Sequence, residues 1–169
     1  MTNRSADLTI VGPPGVEQHL TQLVELGYPS LNRREHGYRL RYVEVEDGAA
    51  GEVNGLRFEA VEVEHGGEEM RAFGFRVQAE GRSLAYTGDT SYCDQLVRLA
   101  RGTDVLISDC TYAAGHNNPE HMSFDEVREL QERIGGQTEI LLTHLGEPPP
   151  NLGCRRLIVA ADRARYHFQ

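Results

Sequence analysis

The sequence predicts a mixed α/β fold, and three observations carry that prediction. Apolar and polar residues alternate with period two through much of residues 38–77, the pattern of half-buried strands. After Asp89 the pattern changes to short apolar strands separated by amphipathic helices. Three of the strand-like runs also deliver a chemically capable side chain at or just beyond their C-terminal ends: His65, Asp89 and His144. Strand ends of this kind are where α/β folds place their chemistry.

The elements follow in order. Leu8 to Val11 reads as a strand, and Gly12-Pro13-Pro14-Gly15 as a sharp turn. Val16 to Leu26 is predicted helical, with Val16, Leu20, Leu23, Val24 and Leu26 on one side and Gly27 as the stop. A helix opening after such a turn could hold a phosphate at its N-terminus, but no P-loop Lys-Ser/Thr follows, and a plain strand-to-helix turn fits as well. Residues 28–37 read as irregular, with His36 in a surface loop. Tyr38 to Val45, Leu56 to Val63 and Met70 to Val77 alternate as strands. Glu46 to Gly55, with three glycines, reads as a connection. Strands in such close succession predict a mostly antiparallel sheet.

The next strand, Ser83 to Tyr86, stops at Gly88-Asp89. Cys93 to Ala100 is a short helix, and Asp104 to Ser108 a buried strand. A polar loop carries His116 and His121. Ser123 and Glu126 form a capping box for a helix through Ile134. Glu139 to Thr143 is a buried strand leading into His144. Pro148-Pro149-Pro150 breaks the chain, and Leu157 to Phe168 reads as a last strand or hairpin.

Composition narrows the function. At 169 residues the expectation is one domain, 1–169, large enough for a real core. No apolar run could cross a bilayer and no apolar signal segment follows Met1, so a cytoplasmic protein without membrane association is expected. Cys93, Cys110 and Cys154 form no CxxC pair, which argues against a cysteine zinc site and a disulfide framework. The net charge of −9 argues against a broad nucleic-acid surface and leaves room for a small substrate.

His65, Asp89 and His144 together outline a metal site built from loops, two imidazoles and a carboxylate suiting Zn²⁺, Mn²⁺ or Fe. Each residue also has a plainer reading. Asp89 could simply turn the chain, His65 could be a surface turn residue before Gly66-Gly67, and His144 could be a hydrogen-bonded core histidine. His116 reads as solvated, as do Glu68-Glu69, and Cys110 as a small buried filler.

The order Gly-Pro-Pro-Gly, His65, Phe73-Gly74-Phe75-Arg76, Tyr86-Thr87-Gly88-Asp89-Thr90, Ser108-Asp109-Cys110-Thr111-Tyr112, His121-Met122-Ser123 and Leu142-Thr143-His144-Leu145 resembles the metallo-β-lactamase superfamily, and within it the ribonuclease Z-like branch. The resemblance implies an αββα sandwich with a two-metal site, usually of zinc. It implies His65 on the first metal, Asp89 bridging both and His144 on the second. His121 resembles the histidine that protonates the leaving group, so His121 and Asp89 are the expected catalytic residues. The implied reaction is metal-assisted hydrolysis of an ester or phosphodiester.

The family's His-x-His-x-Asp-His signature is absent: no two of the seven histidines lie two residues apart. The chain therefore resembles the C-terminal two-thirds of the family domain, a sandwich incomplete at its N-terminus. The favoured explanation is a fragment of an active hydrolase that is inactive without its N-terminal segment. A non-catalytic binding or scaffold module of the same fold is the alternative. A partner chain or a second copy completing the site is a third explanation, and an uncovered sheet edge would favour such association. Only 23 residues separate His65 from Asp89 (66 to 88), enough for a strand pair and no RNA-grasping arm. This favours a small-molecule substrate over ribonuclease Z-like action on RNA.

Overall fold

A computed structural model describes residues 4–30, 37–67, 70–115, 117–150 and 156–168. The expectations for His36, His116, Cys154 and Glu68-Glu69 lie outside the described residues. The chain divides into two compact units, 1–46 and 47–169.

The first unit is a βαβ element. Strand β1 (Leu8–Gly12) leads through the Gly-Pro-Pro-Gly turn into helix α1 (Val16–Gly27), and strand β2 (Leu40–Glu44) pairs parallel to β1 with Leu8 opposite Leu40. Gly15 takes a left-handed φ of 82°, which glycine reaches without a Cβ penalty. Its N–H donates to Glu44 Oε1 at 2.8 Å, so a carboxylate of the chain already lies at the helix start where a phosphate could have bound. The apolar stripe read along α1 is present, but only Val16 is buried. Leu23 and Leu26 are exposed, as is Tyr28 just beyond the helix.

The second unit holds a seven-stranded sheet in sequence order: β3 (Ala50–Val53), β4 (Leu56–Val63), β5 (Ala72–Ala79), β6 (Arg82–Tyr86), β7 (Val105–Asp109), β8 (Glu139–Thr143) and β9 (Leu157–Val159). Strands β3 to β6 pair antiparallel, and β6 to β9 pair parallel. Helix α2 (Gln95–Ala100) is the crossover from β6 to β7, and α3 (Phe124–Arg133) the crossover from β7 to β8. One core joins Val61, Ala85, Leu106, Ile140 and Leu142 of the strands to Leu96 and Leu99 of α2 and Val127 and Leu130 of α3. Fully burying a valine, leucine or isoleucine side chain of this kind stabilises by about 1.5–3 kcal/mol.

The mixed α/β architecture is the one expected, with three differences. Residues 38–45 do not join the antiparallel sheet; their strand lies parallel to β1, because period-two alternation reports a half-buried strand and not its partner. The glycine-rich 46–55 stretch contains an edge strand, β3, in which Gly51 lies opposite Phe58. A Cβ on Gly51 would meet Phe58 Cζ at 2.8 Å, so the ring occupies the space that glycine leaves. The last element is a three-residue strand without a hairpin. The Tyr166 hydroxyl accepts from Ala161 N–H at 2.7 Å and donates to Val159 O at 3.4 Å, holding the following segment as irregular chain. No helix among the described residues is long and apolar enough to cross a membrane.

Candidate metal centre

Four elements of the second unit converge at the C-terminal end of the sheet. His65 follows β4, and the Glu64 carbonyl beside it accepts from Ser91 N–H at 2.7 Å and Thr90 Oγ1 at 3.1 Å, tying that turn to the loop after β6. In that loop Gly88 has a φ of 67°, and a Cβ there would lie 3.3 Å from Phe73 O. Glycine therefore lets β6 end sharply and release Asp89. His144 follows β8 with a φ of 57°, a left-handed conformation that histidine adopts more readily than most side chains.

His121 reaches the same place through a tightly specified loop. Thr111 N–H and Tyr112 N–H both donate to Met122 O, and Phe124 N–H donates to Tyr112 O, which fastens the segment after His121 to the end of β7. Asn118 Oδ1 accepts from the N–H groups of Glu120 and His121 at 2.9 and 3.0 Å. The expected capping box is formed: Ser123 Oγ accepts from Glu126 N–H, and Glu126 Oε2 accepts from Ser123 N–H at 2.8 Å. The other Glu126 oxygen accepts from Asn117 N–H at 2.8 Å, so this buried carboxylate also orders the loop ahead of the helix.

The imidazoles form a row. The His65 and His121 rings are 5.1 Å apart, and His121 stacks on His144 at 4.8 Å. Asp89, His121 and His144 each offer a ligand atom within 4.8 Å of the other two. The geometry thus gathers Asp89, His144 and also His121, which the sequence placed as an acid rather than a ligand, while the expected ligand His65 lies outside that trio, against the His121 ring.

Their hydrogen bonds determine which ring nitrogen is free. His65 Nδ1 lies 2.8 Å from Glu120 O, a carbonyl that can only accept, so Nδ1 carries the proton. His121 Nδ1 lies 2.8 Å from Asp109 Oδ2, and the carboxylate likewise takes the proton-bearing nitrogen. His144 Nδ1 lies 2.8 Å from Thr111 Oγ1, whose own hydrogen has two oxygens in reach that can only accept, Asp109 Oδ1 at 2.8 Å and His144 O at 3.1 Å; with the hydrogen on either, Nδ1 is the donor here too. In the neutral rings this leaves a lone pair on Nε2 of all three histidines. His144 Nε2 and Asp89 Oδ2 stand 3.6 Å apart, too far for a hydrogen bond and with an acceptor on each side. Oxygen partners on the far nitrogen and facing acceptors on the near side are the arrangement that metal-ligating histidines adopt. The residues present fit a divalent cation.

Asp109 is the residue to which the sequence reading gave no role. Its side chain is 0% exposed, and besides His121 and Thr111 Oγ1 it accepts from Thr90 N–H and Thr111 N–H, both at 3.1 Å. It orients His121 directly and His144 through Thr111. The signal available was a carboxylate at the end of an apolar strand beside a threonine. The neighbouring Cys110 thiol is pushed up to about 12, chiefly by burial and secondly by the Asp109 charge, and burial also raises Cys93. Both thiols are expected to resist iodoacetamide at pH 8 in the native protein and to react on unfolding. Peptide mass mapping checks this, and native labelling of Cys110 would show that solvent reaches the inner side of the site.

A family model for a β-lactamase superfamily domain matches residues 1–145. An uncharacterized Mycobacterium tuberculosis protein is 42% identical over 81 residues, which cover 46% of this chain and 29% of that protein. A ribonuclease Z of Staphylococcus epidermidis is 24% identical over 191 residues, covering 82% of this chain and 60% of the enzyme. Among solved structures, a diphosphatase from the PhnP family aligns over 99% of this chain and 61% of its own, with a TM-score of 0.70 at 21% identity. The Bacillus subtilis metallo-β-lactamase fold protein YhfI aligns over 91% and 62%, with a TM-score of 0.68 at 19% identity. The chain spans less than two thirds of the length of each of these relatives. It belongs to the β-lactamase superfamily, and its fold is shared with metallo-β-lactamase fold proteins.

Proposed function

We propose that this chain carries the Asp89–His144 side of a metal-dependent hydrolase centre acting on a small ester or phosphodiester. One observation carries the reading: His121 and His144, each anchored through Nδ1, gather with the Asp89 carboxylate so that their ligand atoms lie within 4.8 Å of one another, and His65, anchored likewise, stands against the His121 ring. Asp89 and His144 are the assigned ligands of one ion and His65 that of a second, and Zn²⁺, Mn²⁺ or Fe suits them. When bound, such an ion supplies Lewis-acid polarisation of an ester or phosphoryl oxygen. A second ion would need donors that a partner chain or a second copy brings.

His121 is assigned the proton. Its Nδ1 is held against a fully buried carboxylate, which fixes the orientation of the ring. Protonated at Nε2, the ring can pass that proton to a leaving oxygen and take one back in the next cycle. A small substrate is favoured over structured RNA by the net charge of −9 and by the β5–β6 hairpin, which occupies most of the interval between His65 and Asp89.

The test is metal content by mass spectrometry after loading and gel filtration. The parent chain is expected to retain metal, Asp89→Ala to lose it, and His121→Ala to keep it within about twofold. Metal loss in His121→Ala would make that ring a ligand and remove its acid role. No metal in any of the three proteins would leave the chain a non-catalytic binding module of the same fold.

A further inference from the structure

Beside His65 the second unit has a cavity of about 440 Å³, within the range of small-molecule sites. Its lining includes Glu62, Glu64, His65, Met70, Arg71 and Pro119. It lies on the flank of the histidine row away from His144, since His65 meets His121, and His121 meets His144.

Charge decides what this space can hold. Arg71 is the one arginine or lysine among the described lining residues, and it is engaged. Its Nε and one terminal nitrogen donate to the two Glu62 oxygens at 2.9 and 2.7 Å, and its guanidinium lies 5.3 Å from the Phe73 ring centroid. A bidentate pair of this kind satisfies both charges mutually. Glu64 is a further acidic residue of the lining, so among the described lining residues there are two acidic side chains against one arginine. An incoming anion would have to displace Glu62 from Arg71 while facing Glu64. Apolar contact comes from Met70, which is 54% exposed, and from Pro119. A thioether is polarisable and fits irregular organic groups.

We propose that this cavity seats the non-reacting part of the substrate, and that this part is a compact organic group bearing no negative charge and readily bearing a positive one. The proposal rests on the hydrolase reading for calling the occupant part of a substrate. The binding chemistry of the cavity does not depend on it. Nucleotide and diphosphate tails are excluded as occupants, and cationic or neutral alkyl esters and phosphodiesters are selected.

Methionine-methyl NMR tests the proposal directly. The chain has three methionines: Met1, Met70 at the cavity and Met122, which is fully buried and serves as the internal control. The metal-free protein, labelled at the methionine methyls, is titrated with choline, with its uncharged isostere 3,3-dimethyl-1-butanol, and with inorganic phosphate and diphosphate. Choline and the isostere are expected to shift the Met70 signal and leave Met122 in place, with choline binding more tightly. Glu64→Gln is expected to weaken choline about fivefold and the isostere not at all. The proposal is overturned if phosphate or diphosphate moves Met70 at concentrations where choline does not, or if neither organic probe moves it. Repeating the titration with phosphocholine, with and without Zn²⁺, separates the two readings. Choline binding without any Zn²⁺-dependent tightening of phosphocholine keeps the cavity assignment and removes the hydrolase reading.

Discussion

Replacing Asp109 with alanine is expected to lower the unfolding free energy by about 3 kcal/mol or more. The change deletes the acceptor for Thr90 N–H and His121 Nδ1, and one of two acceptors for Thr111 N–H, which keeps Met122 O, and for the Thr111 hydroxyl, which keeps His144 O. A buried donor left without a partner costs about 1–3 kcal/mol, and two are orphaned together. Water entering the vacated space offsets part of the loss, which is why the expected figure is below the simple sum. Asp109→Asn keeps one acceptor oxygen and should cost less than the alanine change. Urea unfolding of both variants checks the ordering. A loss under about 1 kcal/mol for Asp109→Ala would show that solvent satisfies these groups and that the carboxylate is not what organises the site. Because Asp109 also orients His121 and, through Thr111, His144, Asp109→Ala should reduce metal retention without removing any assigned ligand.

Gly74→Ala is expected to be the most damaging glycine-to-alanine change among the described residues. A Cβ at this position in β5 would lie 2.6 Å from Leu99 Cδ2, 2.9 Å from Tyr86 O and 3.1 Å from Thr87 O. Leu99 is fully buried, so its side chain has little room to retreat, and the two carbonyls belong to the backbone. Overpacking of this kind costs about 1–3 kcal/mol, with the upper end expected where backbone must shift. For a domain of this size that corresponds to a fall in Tm of about 5–10 °C, readable by calorimetry. The displaced carbonyls immediately precede Gly88 and Asp89, so weaker metal retention should accompany the lower Tm. A variant with unchanged Tm would mean that β5 and β6 can separate at no cost, contrary to their close register there.

Most elements were legible because their local signals were strong. The box formed by Ser123 and Glu126 set the start of α3, and Glu139 to Thr143 could only be a buried strand. Edge strand β3 was hidden because Gly51 looks like a loop residue until Phe58 is known to lie across from it. The partner of β2 was hidden because alternation is silent on pairing. The gathering of His65, Asp89, His121 and His144 could be anticipated from strand ends and motif order. The network beneath them could not. Asp109 and His121 are twelve residues apart, joined through a loop whose path depends on Asn118 and Glu126.

The change of strand direction at β6 has a kinetic side. Strands β3 to β6 are joined by short connections, so their pairings close small loops at low entropic cost. Strands β7 and β8 pair only after the chain has travelled through α2 and α3, which makes their contacts longer in sequence and slower to form. His65 belongs to the fast side, Asp89 sits at the seam, and His121 and His144 arrive with the slow side. The histidine row therefore exists only in molecules that have completed both crossovers, and any metal taken by the proposed ligands would be captured at the end of folding rather than at its beginning.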